Sequence, residues 1–585
     1  MALQQYTVAH RCASQRLIYI YDTGETPYGE HSSPRSSPHE PTVCLPAGEF
    51  EPSPESTFSE KTFNMGKDTF QLAGRDWPKV TWWKMKGMRT VYLTLWAAML
   101  TSATNGYDGS LMNGLEAIKA WNDNFNNPNG QILGLIAASM SIGSLLAIPI
   151  VPYTADILGR RTGVVIGCAI MIVGVALICI GFHVALFIVG RLILGFGIAI
   201  AHGSAPLLIA ELVHPQHRAI YSTIYNTLWY LGSLIGSWVA FGTNTLDGQW
   251  AWRVPCLLQA IPSIVQMVFI WTVPESPRWL ISKGKHQKAK EILAYVHAQG
   301  DLDDELVNVE FNEIQQTIAL EQEYERSAWS ELWATPGNRH RLLILISIGF
   351  FSQWSGNGIV SYFLPKVLEL IGITDSTTQL EINGYLSIVQ LISAVGICFF
   401  VDKIGRRPLF LTSCVGMLVT FIVTTIALAR YDASPNSAAA NTVIVFIFLY
   451  YIMYNLGFCG LLVSYSTEIL PYRIRAKGLT VMFFCVDLSL WFNQYVNPIA
   501  LQSIAWKYYI VYCCWLAFEL AVVYKWYIET KNTALEEIVK FFDGDSAIVG
   551  GDDATAKARH LAGEDEAEVA EAEKAAPAKT EVTNA

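Results

Sequence analysis

The sequence predicts an all-α polytopic membrane protein, with twelve transmembrane helices in two pseudo-symmetric six-helix bundles. Three observations predict it. The 585 residues are 52% hydrophobic and only 15% charged, where a soluble chain is nearer a quarter charged. Apolar runs close to the roughly 20 residues that a helix needs to cross a bilayer recur along the chain. The short charged loops of the first six runs reappear in order roughly 250 residues later.

Taken in order, the chain opens with a polar stretch to about residue 76, rich in Ser, Pro and Glu. It lacks the basic start and apolar core of a signal peptide. It reads as part of a disordered N-terminal tail covering residues 1–90. Lys79, Trp82, Trp83, Lys84, Lys86 and Arg89 precede the first span. Basic residues there favour the cytoplasmic side, and tryptophans favour the headgroup zone. The first bundle, residues 91–274, holds spans at about Val91–Gly114, Gln131–Tyr153, Thr162–Phe182, Val184–Leu207, Ile220–Thr243 and Val254–Val273. Glu116–Gly130 reads as a short polar loop. A charged, amphipathic cytoplasmic linker follows at 275–340. The second bundle, 341–530, holds spans at about Leu342–Val367, Ile382–Val401, Pro408–Leu428, Thr442–Leu470, Thr480–Leu501 and Tyr508–Ile528. An even count puts both termini in the cytoplasm. Residues 531–585 read as an acidic, solvated tail, and they carry much of the net charge of −10.

The repeat is specific. Asp156-Ile-Leu-Gly159-Arg160-Arg161 lies between spans two and three, and Asp402-Lys-Ile-Gly405-Arg406-Arg407 between spans eight and nine. Glu211 with Arg218 follows span four, and Glu468 with Arg475 follows span ten at the same spacing. Pro274-Glu275-Ser-Pro-Arg278-Trp-Leu follows span six, and Glu529-Thr-Lys follows span twelve. Arginines that cannot lose their charge fork onto carboxylates, so these residues form candidate ion-pair clusters at the cytoplasmic gate. The plain alternative is that they only set topology. Two similar bundles with a site between them at the midplane make a transporter architecture.

Asp108 is a carboxylate within the first apolar run. A charge at membrane depth costs about 2.5–3.5 kcal/mol on insertion scales, so it needs a protein-facing position and a partner. Most of the eleven cysteines, including Cys168, Cys179, Cys398, Cys414, Cys485, Cys513 and Cys514, lie inside apolar runs. They read as small core residues. No Cys/His cluster has metal-ligand spacing, and no nucleophile–base pair points to an enzyme.

At this point the residues resemble the sugar porter family of the major facilitator superfamily, over about Tyr92–Lys531. The resemblance rests on Gly106-Tyr107-Asp108, the two GRR loops, Gly190-Arg191 with Gly195 and Gly197, PESPRWL and Glu529-Thr-Lys. TSATNGYDGSLMNGL at 101–115, QWSGNGIVSYFLP at 353–365 and WFNQYVNPIAL at 491–501 are similar to one branch, the fungal lactose permeases and cellodextrin transporters. The sequence departs from the family pattern in three places. No basic residue follows Asp156, Ile528 stands where proline is usual, and the span-ten break is Asn455-Leu-Gly457-Phe-Cys-Gly460 without proline.

Sugars are uncharged and rich in hydroxyls, so a site in the membrane needs amides and aromatic faces. Span seven offers Gln353, Trp354, Asn357 and Tyr362, and Gln353 and Asn357 are four apart, on one face of a continuous helix. The resemblance implies a sugar contact at Gln353, with Asn357 one place before the family's amide. By its register, Asn226 and Gln390 fall at polar contact positions, and Asn455 is a further candidate. Asp487 falls where relatives carry a site-lining aromatic, with Trp491 and Asn493 a turn on. Interhelical bridging is the plain alternative for each amide. The resemblance also implies that Asp108 carries a coupled proton with Arg191 as its partner.

The expectation is therefore a proton symporter for a disaccharide of the lactose or cellobiose type, acting as a monomer in a fungal plasma membrane. Its partners are a small sugar, the proton and the bilayer. No other cofactor, metal or nucleic acid is expected. A facilitative hexose uniporter is the nearest alternative. A sugar sensor with little transport is the alternative from another class, and it would tend to have lost Asp108 or Arg191.

Overall fold

The structure is a computed structural model that describes residues 69–72, 75–325, 329–398, 404–531, 538 and 541–543. Asp402 and the expected disordered stretches 1–68 and 544–585 lie outside the described residues. Within the expected N-terminal tail, residues 69–90 contain regular structure. Strand β1 (Thr69–Leu72) pairs antiparallel with β2 (Arg75–Pro78), with Phe70 opposite Trp77. Lys86–Thr94 is helical. A lone hairpin is marginal in water. This one gains support from the protein, since the Phe70 ring meets His214 with centroids 5.2 Å apart.

The spans are α1 (Trp96–Ala117), α2 (Gly130–Ala147), α3 (Arg160–Ile180), α4 (Val184–Leu212), α5 (Arg218–Thr243) and α6 (Trp250–Thr272). The second set is α7 (Pro336–Glu369), α8 (Ser376–Cys398), α9 (Arg406–Ala433), α10 (Ser437–Ile469), α11 (Tyr472–Ile504) and α12 (Tyr508–Trp526). Among the described residues, nine helical stretches are long and apolar enough to cross a bilayer, and the last, Lys477–Trp526, runs through both α11 and α12. α1 and α5 are not among them, because polar residues interrupt both. Large apolar side chains such as Leu93, Ile132, Val173, Ile392 and Ile426 point outward, as a lipid-facing surface requires.

α1 differs from its expected bounds. It runs to Ala117, past Gly114, so Glu116, expected in the loop, is a buried helix residue, and Asp108 lies near the middle of the span. Polar side chains that read as a loop are tolerated there because they face protein.

Small residues let backbones touch, which is how helices associate without a hydrophobic drive between them. A Cβ on Gly106 would lie 1.9 Å from the Trp229 carbonyl, and one on Gly232 would lie 1.9 Å from the Ala103 carbonyl. α1 and α5 therefore cross at a reciprocal glycine contact.

The repeated loops fold alike at one end of the molecule, here termed the motif end. Gly159 and Gly405 have φ of 108° and 110°, a region that favours glycine. Each makes room for a carboxylate, Glu275 or Glu529, at the N-terminus of the next helix. Glu275 accepts from the Arg161 N–H at 3.3 Å, and Glu529 from the Arg406 and Arg407 N–H groups at 2.9 and 3.1 Å. Such carboxylates satisfy helix-end donors and oppose the helix dipole. Arg160 binds Glu211 and Asp156, each at 3.1 Å, and Arg406 binds Glu468 at 3.0 Å. Arg278 opens the short helix Pro277–Ser282. Arg218 binds Glu310 of the linker helix Glu305–Glu325, and Arg475 donates Nε to the Leu470 carbonyl at 3.1 Å. These described contacts tie each cluster within its own half and onto the linker.

Gly106→Ala should drive α1 off α5. Overpacking of this kind costs about 1–3 kcal/mol, so the melting midpoint of the purified chain should fall. An unchanged midpoint would show that the crossing relaxes freely.

Candidate functional site

α1, α5, α7 and α8 line a partly open cavity whose empty space, open solvent included, is about 340 Å³. It is lined by Ser110, Asn113, Trp229, Ser233, Ser361, Tyr362, Asn383, Ser387 and Gln390, with Gly109, Val360 and Leu386 between them. No charged side chain is among these lining residues. Hydroxyls and amides both donate and accept, and Trp229 and Tyr362 add ring faces. The lining suits a neutral, many-hydroxyl ligand.

The cavity is closed away from the motif end by bonds between the halves. Ser237 Oγ lies 2.6 Å from Ser110 Oγ and 2.8 Å from Ser387 Oγ, and it accepts from Asn383 Nδ2 at 3.2 Å. Ser141 donates to Gln494 at 2.5 Å. Asn113 is the most connected. Its Nδ2 donates to the Ser361 and Val360 carbonyls at 2.7 and 3.2 Å, and its Oδ1 accepts from Leu364 N at 3.0 Å. The chain explains the match. Pro365 has no N–H to offer the Ser361 carbonyl, and Phe363 leaves helical geometry at φ −137°, ψ 31°. Asn113 therefore caps, from the other half, a break in α7.

Asp108 lies on α1 next to the lining residues Gly109 and Ser110. It is 1% exposed, and neither carboxylate oxygen has a hydrogen-bonding partner. Arg191 of α4, 4% exposed, is the cation within electrostatic reach of it. In this conformation Arg191 instead donates Nε to the Ile136 carbonyl at 2.9 Å. The expected pair is thus near but not joined by a hydrogen bond. Gln259 of α6, 2% exposed, also sits beside Asp108, and its Oε1 is unpartnered.

Of the expected sugar contacts, Tyr362 and Gln390 line the cavity. Gln353 is half-buried at the end of the first part of α7, with only a 3.4 Å contact from Nε2 to Ser352 Oγ. The helical face it was to share with Asn357 does not exist, because α7 breaks at Gly356, where φ is 101°. Asn357 instead donates to the Ser352 carbonyl at 3.3 Å and to Tyr454 Oη at 3.2 Å. Trp354 is turned away: its Nε1 donates to the Ser489 carbonyl at 3.1 Å, and its ring packs on Phe350, Phe492 and Trp515. Asn493 donates to the Gln353 carbonyl at 2.5 Å and accepts from Tyr512 at 3.1 Å. Asn455 bridges helices, donating to Ser393 Oγ at 2.7 Å and accepting from Tyr230 at 3.2 Å, at the start of a π-turn, Asn455–Cys459. Asn226 is exposed, one turn along α5 from Trp229. Asp487 and Trp491 are half-buried on α11, on the face of Gln494, which sits beside Tyr362.

Ser110, Asn113, Trp229, Ser233, Asn383 and Ser387 were not singled out from the sequence. Their signal was periodic. Asn383, Ser387 and Gln390 recur at helical spacing in one apolar run, as do Trp229, Ser233 and Ser237 in another.

Asn113→Ala should loosen the closed side, since stranding buried polar groups costs about 1–3 kcal/mol each. A maleimide added away from the motif end should reach Leu386→Cys roughly tenfold faster than when Asn113 is intact. An equal rate would show that Asn113 does not hold that side shut.

Residues 93–542 match the Sugar (and other) transporter family. The chain is 28% identical to the MFS-type transporter oryC of Aspergillus oryzae, covering 79% of this chain and 88% of that one. It is 27% identical to a high-affinity glucose transporter of Kluyveromyces lactis, over 78% and 85%. Among solved structures, the inward open conformation of the xylose transporter XylE from E. coli superposes with a TM-score of 0.64 at 22% identity, over 77% of this chain and 99% of that one. The same transporter, described as a proton:xylose symporter bound to 6-bromo-6-deoxy-D-glucose, gives 0.61 at 22% identity, over 78% and 99%. The structural likeness shows the major facilitator fold of twelve helices in two bundles, and the family match over most of the length shows that this chain belongs to the sugar transporter family.

Proposed function

We propose that the protein is a proton-coupled sugar transporter that takes up a disaccharide by alternating access. The observation that carries the reading is the cavity between the halves, lined by hydroxyls, amides and ring faces and without a charged lining residue. A neutral polyol is held there by exchangeable hydroxyl and amide bonds, and Gln390 and Tyr362 supply contacts from the second bundle. Gln353, with its amide nearly unengaged, is a further contact. A relative named as a glucose transporter and a neighbour described as a proton:xylose symporter support a sugar as cargo and a proton as co-substrate. The disaccharide rests on the three stretches that resemble lactose and cellodextrin carriers.

Asp108 is the proposed proton carrier and Arg191 its partner. A carboxylate is stabilised by a neighbouring guanidinium and penalised by burial. Pairing in one conformation and separation in the other therefore couple proton uptake and release to the transport cycle. The motif end faces the cytoplasm in this reading, because the basic residues Lys79 to Arg89 lie there. The membrane is the plasma membrane, and one chain suffices.

Uptake of a labelled panel of hexoses, pentoses, lactose and cellobiose in a host without its own carriers tests the proposal. A disaccharide should accumulate above equilibrium and an uncoupler should abolish accumulation. Asp108→Asn should lose accumulation while keeping exchange. Uptake that ignores the uncoupler and stops at equilibrium would make the protein a uniporter, and sugar binding without uptake would make it a sensor.

Gln390→Ala should raise the half-saturation concentration for the accepted sugar roughly tenfold, the loss of one buried hydrogen-bonding group. An unchanged value at normal surface expression would remove Gln390 from the sugar's contacts.

A further inference from the structure

We propose that the N-terminal segment from β1 to Lys84 is a strap tied to the motif end through a neutral His217, and that protonation of His217 releases it. The tie is made by the turn between α4 and α5. The Gln216 side chain lies along Val80: Val80 N donates to Oε1 at 2.9 Å, and Nε2 donates to the Val80 carbonyl at 2.6 Å. This backbone pair fixes which end of the amide is which, because a flip would set donor against donor and acceptor against acceptor. The second hydrogen on Gln216 Nε2 is directed to His217 Nε2, 2.7 Å away. That ring nitrogen must therefore accept. The ring's one proton then sits on Nδ1 and is donated to Tyr92 Oη at 2.9 Å.

A second proton on His217 has only Nε2 to occupy, where it meets the Gln216 N–H group. Keeping the histidinium requires the amide to turn or withdraw, and either movement breaks both bonds to Val80. The strap also makes ring contacts, Phe70 against His214 and Trp82 against Tyr92 at 6.0 Å, and Val80 and Trp82 pack against the core. Tyr92 is in turn packed on Tyr221 at 4.7 Å.

The other ionisable groups around this turn are already committed. Burial pushes Glu310 up, but His297 and Arg218 outweigh it and hold it at about 2. Burial and the neighbouring His297 hold His214 at about 3, and its ring lies 6.1 Å from that of His217. Lys79 sits on the strap beside Val80. His217 is half-buried, so solvent protons reach it, and burial holds it below the ordinary histidine value of 6.5. The sign follows from linkage. A histidine whose value is lowered in the tied state favours that state fully above the free value, and the advantage disappears as pH falls below it. The tie is a property of this conformation alone. Only its placement in the cytosol, where symported protons arrive, rests on the functional reading above.

Hydrogen exchange of the full chain in lipid nanodiscs tests the strap, at about pH 7.5 and about pH 5.5, with each rate corrected for intrinsic exchange. In the wild type, the peptide containing Val80 should lose protection at the lower pH by up to about tenfold, the limit that one histidine sets between these two pH values. His217→Gln, whose amide accepts and donates without titrating, should lose the pH response. Gln216→Ala, which lacks the amide that joins Val80 to His217, should leave that peptide poorly protected at both pH values and without a pH response. Equal wild-type protection at the two pH values overturns the proposal, as does a pH response that survives in His217→Gln. Should that variant not fold, a pH response that survives in Gln216→Ala overturns it equally.

Discussion

Inside a bilayer no water can satisfy a backbone N–H or C=O, so every break in a helix must be repaired by protein. α7 breaks twice, at Gly356 and before Pro365, and much of the surrounding polar chemistry serves those breaks. Tyr454 donates to the Ser352 carbonyl at 2.7 Å, Tyr450 to that of Ser355 at 3.0 Å and Tyr451 to that of Asn357 at 3.2 Å. Asn493 covers the Gln353 carbonyl and Asn113 covers the break before Pro365. One helix is thus fastened to α10 and α11 in its own half at the first break, and to α1 in the other half at the second. The second repair is the one that a conformational change can exchange, because its donor and acceptor belong to different bundles.

The same constraint explains what was and was not legible in the sequence. The two halves and their loop motifs were readable because each motif acts locally: glycine, arginine pair and carboxylate meet within one helix end, and they recur. The cavity was less readable. Asn357, Asn455 and Asn493 are amides in apolar runs, the pattern a sugar site shares with helix repair, and the structure uses all three for repair or bridging. Trp354 and Gln353 are adjacent, yet one packs among rings of α11 and α12 while the other keeps an almost free amide. Sequence spacing cannot separate these outcomes, because the turn at Gly356 resets the helical face. Gln390, on an unbroken stretch of α8, lines the cavity.

The carboxylates divide by the same test. Glu275 and Glu529 accept from helix N-termini at glycine turns, so their charge is matched by fixed backbone donors in each half. They brace the loops without needing the opposite bundle. Asp108 has no such donors, and Arg191 is held by the Ile136 carbonyl. A buried charge that loses its partner is strongly penalised, so this pair does not contribute equally in every arrangement of α1 and α4. Glu116, further along α1, is likewise buried with both carboxylate oxygens unpartnered.

A protein that alternates between two arrangements needs them close in free energy, since a gap of several kcal/mol would leave one state scarcely populated. The closed side is built accordingly. Its contacts between halves include neutral bonds from Ser387 and Asn383 to Ser237 and from Asn113 to the α7 backbone, each with a modest net contribution of about 0.5–1.5 kcal/mol. The hydroxyls of this group line or adjoin the cavity, so water or a ligand hydroxyl replaces each bond as it breaks. An ion pair across the same seam would resist opening far more strongly in this low-dielectric setting. Among the described contacts, the ion pairs of the repeated loops lie within each half at the motif end and the polar bonds across the seam are made by hydroxyls and amides, a division that holds each bundle more firmly than it holds the seam.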